Sequence, residues 1–577
     1  MGFIFAPQVK EEAKVWLQTA MTETKTNMES RLPFAMTPVV YDFEINDRGT
    51  WCEMQAGSKA RMPIEYYTLQ VPAWLKHDAR ELPPMVRREL EQLGSEYRDD
   101  TQSPVLSKLV ESILPGRKTN EQREISLDEL LARFGFDREL HEQIQSDLKS
   151  GRFGLSQNRL PPSTSLEDVQ SEHVIDCRLP GELDAATVAC GQAAIAAGEV
   201  AMVTLAAGVG SRWTQGAGVV KGLHPFAQLN GQHRSFLEVH LAKSAKISLE
   251  FASPDKAMPH VITTGYMTHQ PIEEHLRDVN NYNYPGRILL SPGCYVGLRS
   301  VPMVRDLKFA WQEVSQKVLD QQQQKVQDSL RAALIRWAQQ SGEGTDYREN
   351  APMQCLHPVG HWYEIPNMLR NGVLHKMLQQ QPELKYLMLH NIDTLGATVD
   401  PALLGTHIEQ DGCLSFEVIE RRLEDRGGGL ALVNGRPRLV EGLAMPDEKD
   451  EFKLTYYNSL TTWITIDRLL DTFQLKREDL NDEAKVEQAV RQLSQKMPTY
   501  ITLKDVKNRW GHGQEDVFPV AQFEKLWGDM SALSDVDCRF FVIPPQRGQQ
   551  LKEQSQLDGW LRDGSASFVE QLCHWST

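Results

Sequence analysis

The sequence predicts an α/β fold with a mainly parallel central sheet, flanked by an N-terminal and a C-terminal part. Two observations predict it. From about residue 171 short apolar segments alternate with helical ones, VAMVTLAA, HVITTGYM, RILLSP, KYLMLHNID, GLALV and RPRLVEGL, as strands do when crossover helices bury them. The first, Val200 to Leu205, then runs directly into Ala-Ala-Gly-Val-Gly-Ser-Arg. A strand that stops in glycines does so where something approaches the backbone closely.

Taken in order, residues 1–170 read as one mixed unit. It opens with a helical stretch and continues through apolar segments around TPVVYDFEI and IEYYTLQV. A helix is predicted at SLDELLARF, where Ser126 and Glu129 have capping-box spacing. GRFGLSQNRLPPSTS, rich in Gly, Pro and Ser, reads as a linker. Residues 171–475 form the alternating domain. Within it Leu307, Trp311, Val314 and Val318, then Val326, Leu330, Ala333 and Trp337, recur at helical spacing, which makes 302–340 a surface helical insertion. Residues 476–577 read as a C-terminal α/β domain.

A chain of 577 residues with 41% hydrophobic residues has the material for two to four packed domains. Its net charge of -16, without a long basic run, argues against a nucleic-acid partner. A few arginines and helix N-termini still suffice to hold phosphate. The 8 cysteines form no C-x-x-C pair, so a thiolate zinc site is not expected and a reducing compartment is. The apolar start MGFIFAPQVKEEAK is short for a signal peptide, and Ala6 stands where the myristoylation pattern needs Ser or Thr. No segment has the length of a membrane span. These readings point to a cytoplasmic protein without a membrane partner and leave the oligomeric state open.

The turn after Leu205 carries the chemistry. Gly208, Val209, Gly210 and Ser211 offer backbone N–H groups at the mouth of a parallel sheet, a geometry that cradles phosphate. Arg212 and Lys221 add positive charge nearby. The spacing is neither a Walker loop nor a G-x-G-x-x-G fingerprint. Taken alone it fits a plain strand-to-helix turn equally well.

Five ordered stretches shift the balance. GEVAMVTLAAGVGSRWTQGAGVVKG resembles the signature L-A-G-G-x-G-T-R-L-G…P-K-G of sugar-nucleotide pyrophosphorylases. HPVGHWYEIPNMLRNGVLHKML, LKYLMLHNIDTLGATVDPALL, LEDRGGGLALVNGRPRLVEGLAMPDEKDEFK and YYNSLTTWI are similar to that family's later segments. Together they resemble the UTP–sugar-1-phosphate uridylyltransferases, on the UDP-glucose pyrophosphorylase side. The resemblance implies a Rossmann-like nucleotidyltransferase domain that joins UTP to a sugar 1-phosphate, glucose 1-phosphate first among them, releasing pyrophosphate with Mg2+ assistance.

It also implies roles. Leu205 to Ser211 and Gly360 would face the nucleotide. Arg212, Lys221 and Arg426 would supply catalytic charge. His361, Gly427, Gly428, Glu441 and Asn458 would hold the sugar phosphate. Asp393, at the end of the strand KYLMLHNID, would hold magnesium, which favours one or two carboxylates plus phosphate oxygens. By itself Asp393 reads as a cap on the next turn.

Departures from the family pattern are specific. Ala207 replaces a glycine, Val220 a proline and Arg426 a lysine. Trp362 stands where a glycine is expected and would bring a ring close to the sugar pocket. The uracil-reading Gln is absent, with Pro292 near its place. Leu460 and Thr461 replace two asparagines. The C-terminal R-F-x-P-V-K element reads RFFVIPPQR, without its lysine, which leaves open whether Arg547 stands in. These departures favour the alternative reading, a catalytically impaired homologue that binds nucleotide or sugar phosphate as a regulatory or scaffold protein.

Overall fold

Strand Val200–Leu205 is buried at all six positions, as a strand with covered faces requires. In this computed structural model, which describes residues 5–27, 38–41, 67, 70, 71, 74, 82–99, 126–179, 183–210, 213, 220–313, 321–423, 425–510 and 514–575, that strand lies inside one large sheet. From edge to edge run Ile175–Asp176, Cys538–Val542, Leu414–Glu420, Tyr456–Thr465, Tyr386–Asn391, Val200–Leu205, His260–Thr264 and Ile288–Pro292. Only Tyr456–Thr465 is antiparallel to its neighbours on this path. The mainly parallel α/β expectation therefore holds. A hairpin of Gly429–Val433 and Arg436–Val440 branches from the sheet where Gly429 pairs with Tyr457.

Helices cover the faces. Phe236–Phe251 starts at Ser235, whose hydroxyl accepts from Glu238 N at 3.2 Å. It is buried along most of its length and carries His240 and Lys243 inward. His240 Nε2 donates to Ile392 O at 2.9 Å, and Lys243 Nζ donates to Leu395 O at 2.5 Å and to Ala397 O. These bonds clamp the loop after Tyr386–Asn391. Burial pushes the Lys243 ammonium down to about 7.

The helix at Leu127–Arg133 forms with its capping box, Ser126 accepting from Glu129 N and Glu129 accepting from Ser126 N. TPVVYDFEI and IEYYTLQV lie mostly outside the described residues. The Gly- and Pro-rich stretch read as a linker is pinned instead: Asn158 exchanges two hydrogen bonds with Ile501, and Leu160 N donates to Ala444 O. Residues 302–340 include helices Val304–Glu313 and Gln321–Ser341. The C-terminal part is not set apart from the sheet. Cys538–Val542 is an interior strand, and helix Glu483–Lys496 buries Val486, Val490 and Leu493 in the main core. An apolar run such as FFV reaches full burial only between neighbours that already exist.

Candidate active site

The strand order reverses at one place. From Val200–Leu205 the chain moves outward to His260–Thr264 and Ile288–Pro292, then returns to lay Tyr386–Asn391 on the other side of Val200–Leu205. Open α/β sheets bind ligands beyond the C-terminal strand ends at such a switch. Leu205 pairs with Asn391 there, and Ile392 N donates to Leu205 O at 3.2 Å. The glycine turn leaves one strand end and Asp393 the other.

At the glycine turn, Ala206 is buried, its N–H on Thr263 O and its carbonyl taking the Thr268 hydroxyl at 3.1 Å. Ala207 O accepts from the same hydroxyl at 3.3 Å. Gly208 is exposed, with open space where a Cβ would stand. Gly210 has φ +71°, and a Cβ there would lie 2.3 Å from Lys221 Cβ. Both the left-handed backbone and the close approach require glycine.

Lys221 itself is 3% exposed. Its Nζ donates to Asp393 Oδ1 at 2.7 Å and Leu551 O at 2.7 Å, and lies 5.1 and 4.8 Å from the centroids of the Trp213 and Phe236 rings. Leu551 N donates in turn to Asp393 O at 2.9 Å. The structure thus joins Lys221 and Asp393 beside the glycine turn. Ser211 and Arg212 lie outside the described residues.

Gly427, Gly428, Glu441 and Asn458 form a second group. A Cβ at Gly428 would sit 3.2 Å from Glu441 Oε2. A Cβ at Gly528 would sit 2.6 Å from Glu441 Oε1 and 3.4 Å from Asn458 Nδ2. Asn458 stands at a bulge, where the pairing of Tyr456–Thr465 with Leu414–Glu420 slips between Glu417 and Val418. Its Oδ1 accepts from Leu460 N at 2.9 Å, holding Leu460 at φ +56°.

Glu441 Oε1 is buried without a hydrogen-bond partner, and so is Asp529 Oδ2. Burial first, and for Glu441 the neighbouring Asp529 next, push both carboxyls above the usual range. Arg426 is turned outward: its side chain is 69% exposed, bonded to Glu451 Oε1 at 3.0 Å and placed over Phe452. Glu451 Oε2 also accepts from Gly427 N at 2.8 Å, fixing that turn.

Segment 525–529 links the remaining predicted residues to this group. Gly360, at φ +97°, packs on the Lys525 backbone, where a Cβ would lie 2.2 Å from Lys525 O. His361 Nδ1 accepts from Trp527 N at 3.0 Å, which leaves the imidazole proton on Nε2. Burial, then the charge of Lys552, lower His361 to about 4, so it is neutral near pH 7.

One sequence expectation is corrected here, and one open question is answered. Trp362 does not crowd the sugar pocket. Its ring is fully buried in the main core with Nε1 on Met530 Sδ, because an indole that size is stabilised most by complete burial. Arg547 does not offer its charge to a substrate. It is buried in a two-pronged pair with Glu417, at 2.9 and 2.8 Å, and its NH2 also donates to Thr398 O at 2.7 Å.

The residue that reasoning from sequence missed is Lys552. Its carbonyl lies 3.5 Å from Lys221 Nζ, and its own Nζ donates to Tyr457 OH at 2.6 Å. It thus touches both groups. Among the described residues no cluster of three or more His, Cys, Asp or Glu is placed to hold a metal, and no helix is long and apolar enough to cross a membrane.

The chain is similar to known proteins. Residues 317–548 match the family UTP–glucose-1-phosphate uridylyltransferase. The chain is 34% identical over 140 residues to the UTP–glucose-1-phosphate uridylyltransferase of Hordeum vulgare, covering 23% of this chain and 29% of that one. It is 32% identical over 143 residues to the Saccharomyces cerevisiae enzyme of the same name, covering 23% and 28%. The chain thus spans less than a third of the length of these relatives. Among solved structures, UDP-glucose phosphorylase from Trypanosoma brucei superposes with a TM-score of 0.49 at 17% identity, covering 74% of this chain and 75% of that one. UDP-glucose pyrophosphorylase from Leishmania major superposes with 0.46 at 14%, covering 74% and 76%. Residues 317–548, the stretch that matches the family UTP–glucose-1-phosphate uridylyltransferase, include Gly360, His361, Asp393, Glu441 and Asn458.

Proposed function

We propose that this chain transfers a uridylyl group from UTP to a sugar 1-phosphate, glucose 1-phosphate first among them, giving the UDP-sugar and pyrophosphate. The observation that carries the reading is the Lys221–Asp393 pair, 2.7 Å apart beside the glycine turn at the strand-order switch. A phosphate oxygen of the sugar attacks the α-phosphorus in line. A new P–O bond forms as the bond to the bridging oxygen breaks, and pyrophosphate leaves with that electron pair. The nucleophile is already anionic, so no general base is needed. The work is to hold two polyanions together and stabilise charge at phosphorus.

In this reading the turn at Gly208 and Gly210 receives the triphosphate through backbone N–H groups, and Lys221 neutralises the phosphate under attack. Glu441 and Asn458 hold sugar hydroxyls, and neutral His361 presents its Nε2 proton to the phosphate. Asp393 suits a hard divalent cation. It is a partly exposed carboxylate at the strand end, with substrate phosphates and water left to supply the other oxygens. Magnesium bound there would spread the negative charge of the phosphates. The reading places the chain in the cytoplasm, where its scattered thiols suit a reducing environment.

The test is pyrophosphate release from UTP, glucose 1-phosphate and magnesium. Turnover that Asp393→Ala abolishes supports the reading. No release across a panel of nucleoside triphosphates and sugar 1-phosphates overturns it.

A further inference from the structure

We infer that Lys552 is a substrate-phosphate ligand of this site, held in place by the Tyr457 hydroxyl. The inference rests on the uridylyltransferase reading and adds a residue that lies beyond the matched stretch 317–548.

Three observations carry it. The backbone of Lys552 is anchored at the phosphate end of the crevice: Leu551 exchanges hydrogen bonds with Lys221 Nζ and Asp393 O, and Lys552 N donates to Gln556 Oε1 at 2.7 Å. Its side chain reaches the sugar end, Nζ donating to Tyr457 OH at 2.6 Å and lying 5.3 Å from that ring's centroid. The Tyr457 hydroxyl itself contacts Gln550 Oε1 at 3.2 Å and Arg426 O at 3.4 Å, and the Gly427 Cβ position lies 3.9 Å from the ring. The ammonium is therefore fixed beside the Arg426–Gly427 turn. Its charge is also felt at His361 and Glu441.

The surrounding cations make the assignment specific. Arg547 is consumed by Glu417 in the core, and Arg426 is held outward by Glu451. Lys221 serves the glycine-turn end. A sugar phosphate that enters between the two groups meets Lys552 on a partly exposed side chain, half-fixed by a neutral phenol rather than by a carboxylate. A phosphate oxygen can replace the phenol as acceptor without separating an ion pair.

Steady-state kinetics of the full chain test this. Lys552→Met is expected to lower kcat for UDP-sugar formation about 100-fold, as loss of one charged donor to a transition state does, with an unchanged melting temperature. Lys552→Arg is expected to recover part of that loss. Tyr457→Phe, which removes the tether and keeps the ammonium, is expected to lower kcat about 5-fold. Equilibrium binding of UDP-glucose to Lys552→Met is expected to weaken about tenfold. If the wild type turns over and Lys552→Met matches it, or loses activity only together with its fold, the inference falls and the functional reading stands. If the wild type neither turns over nor binds UDP-glucose, both fall.

Discussion

Two carboxylates mark the two ends of the crevice, and their surroundings differ in one respect. Asp393 meets a cation: Lys221 Nζ is 2.7 Å away, buried and boxed by Trp213 and Phe236. Among the described residues Glu441 meets no cation in hydrogen-bond range, has a buried oxygen without a partner, and faces a second buried acid, Asp529. One end is built to manage charge and the other to make hydrogen bonds. That division suits a reaction that handles phosphates at one end and hydroxyls at the other. It also predicts that the two acids respond differently to removal.

Breaking the charged end gives the largest effect. Asp393→Ala is expected to cost at least about 10³-fold in pyrophosphate release. It also takes the carboxylate away from the buried Lys221 ammonium, which costs roughly 3–5 kcal/mol of stability. Adding Lys221→Met to Asp393→Ala sharpens the comparison. Denaturant titration is expected to show stability largely restored while activity stays absent. Activity recovered along with stability would mean that the pair serves only the fold.

Lys221→Met alone is expected to lower kcat about 10²- to 10³-fold. The deficit is expected to persist when magnesium is raised, since an added cation does not replace the ammonium that Lys221 supplies. A deficit that high magnesium erases would mean Lys221 only positions Asp393.

How much of this was readable beforehand follows from how each residue is held. Lys221 and Asp393 were singled out through the family resemblance, since the strand end alone reads Asp393 as a cap; the structure brings the two within 2.7 Å. The strands Val200–Leu205, His260–Thr264 and Tyr386–Asn391 announced themselves as short apolar segments alternating with helical ones. Cys538–Val542 as an interior sheet strand was not legible, since its partners come from residues 175–176 and 414–418. Trp362 was misread, and Arg547 left open, for a related reason. Burial decides the place of an indole, and a guanidinium follows the acid it finds, here Glu417. Neither neighbour is close in sequence. Lys552 was missed because its meaning depends on a 2.6 Å contact with Tyr457, 95 residues away.

At the hydrogen-bonding end the expected effects are smaller. Glu441→Gln is expected to raise KM for the sugar phosphate about tenfold, the loss of roughly one good hydrogen bond. Its sharper signature is in stability against pH. The folded form keeps the Glu441–Asp529 pair protonated above the range where unfolded carboxyls titrate. From about pH 5 upward the unfolded chain therefore binds fewer protons than the folded one, and stability falls as pH rises. Glu441→Gln removes one of the two groups and most of their mutual repulsion. Its melting temperature is expected to decline less steeply between about pH 5 and 8 than that of the wild type. An equal slope would show that the two carboxyls do not share their environment.

The smallest effect concerns the bulge that carries Asn458. Leu460 sits there at φ +56°, a left-handed backbone that costs a residue with a branched Cγ about 1 kcal/mol and an asparagine less. The strain persists because the bulge is held from three sides. Asn458 Oδ1 takes Leu460 N, while Thr394 Oγ1 and Gln550 Nε2 both donate to Ser459 O, at 3.0 and 2.9 Å. Those donors neighbour Asp393 and Lys552, so the bulge ties the charged end to the hydrogen-bonding end. Leu460→Asn is expected to stabilise the fold by about 0.5–1 kcal/mol in denaturant titration. If the same change destabilised the protein, packing of the Leu460 side chain would outweigh its backbone strain.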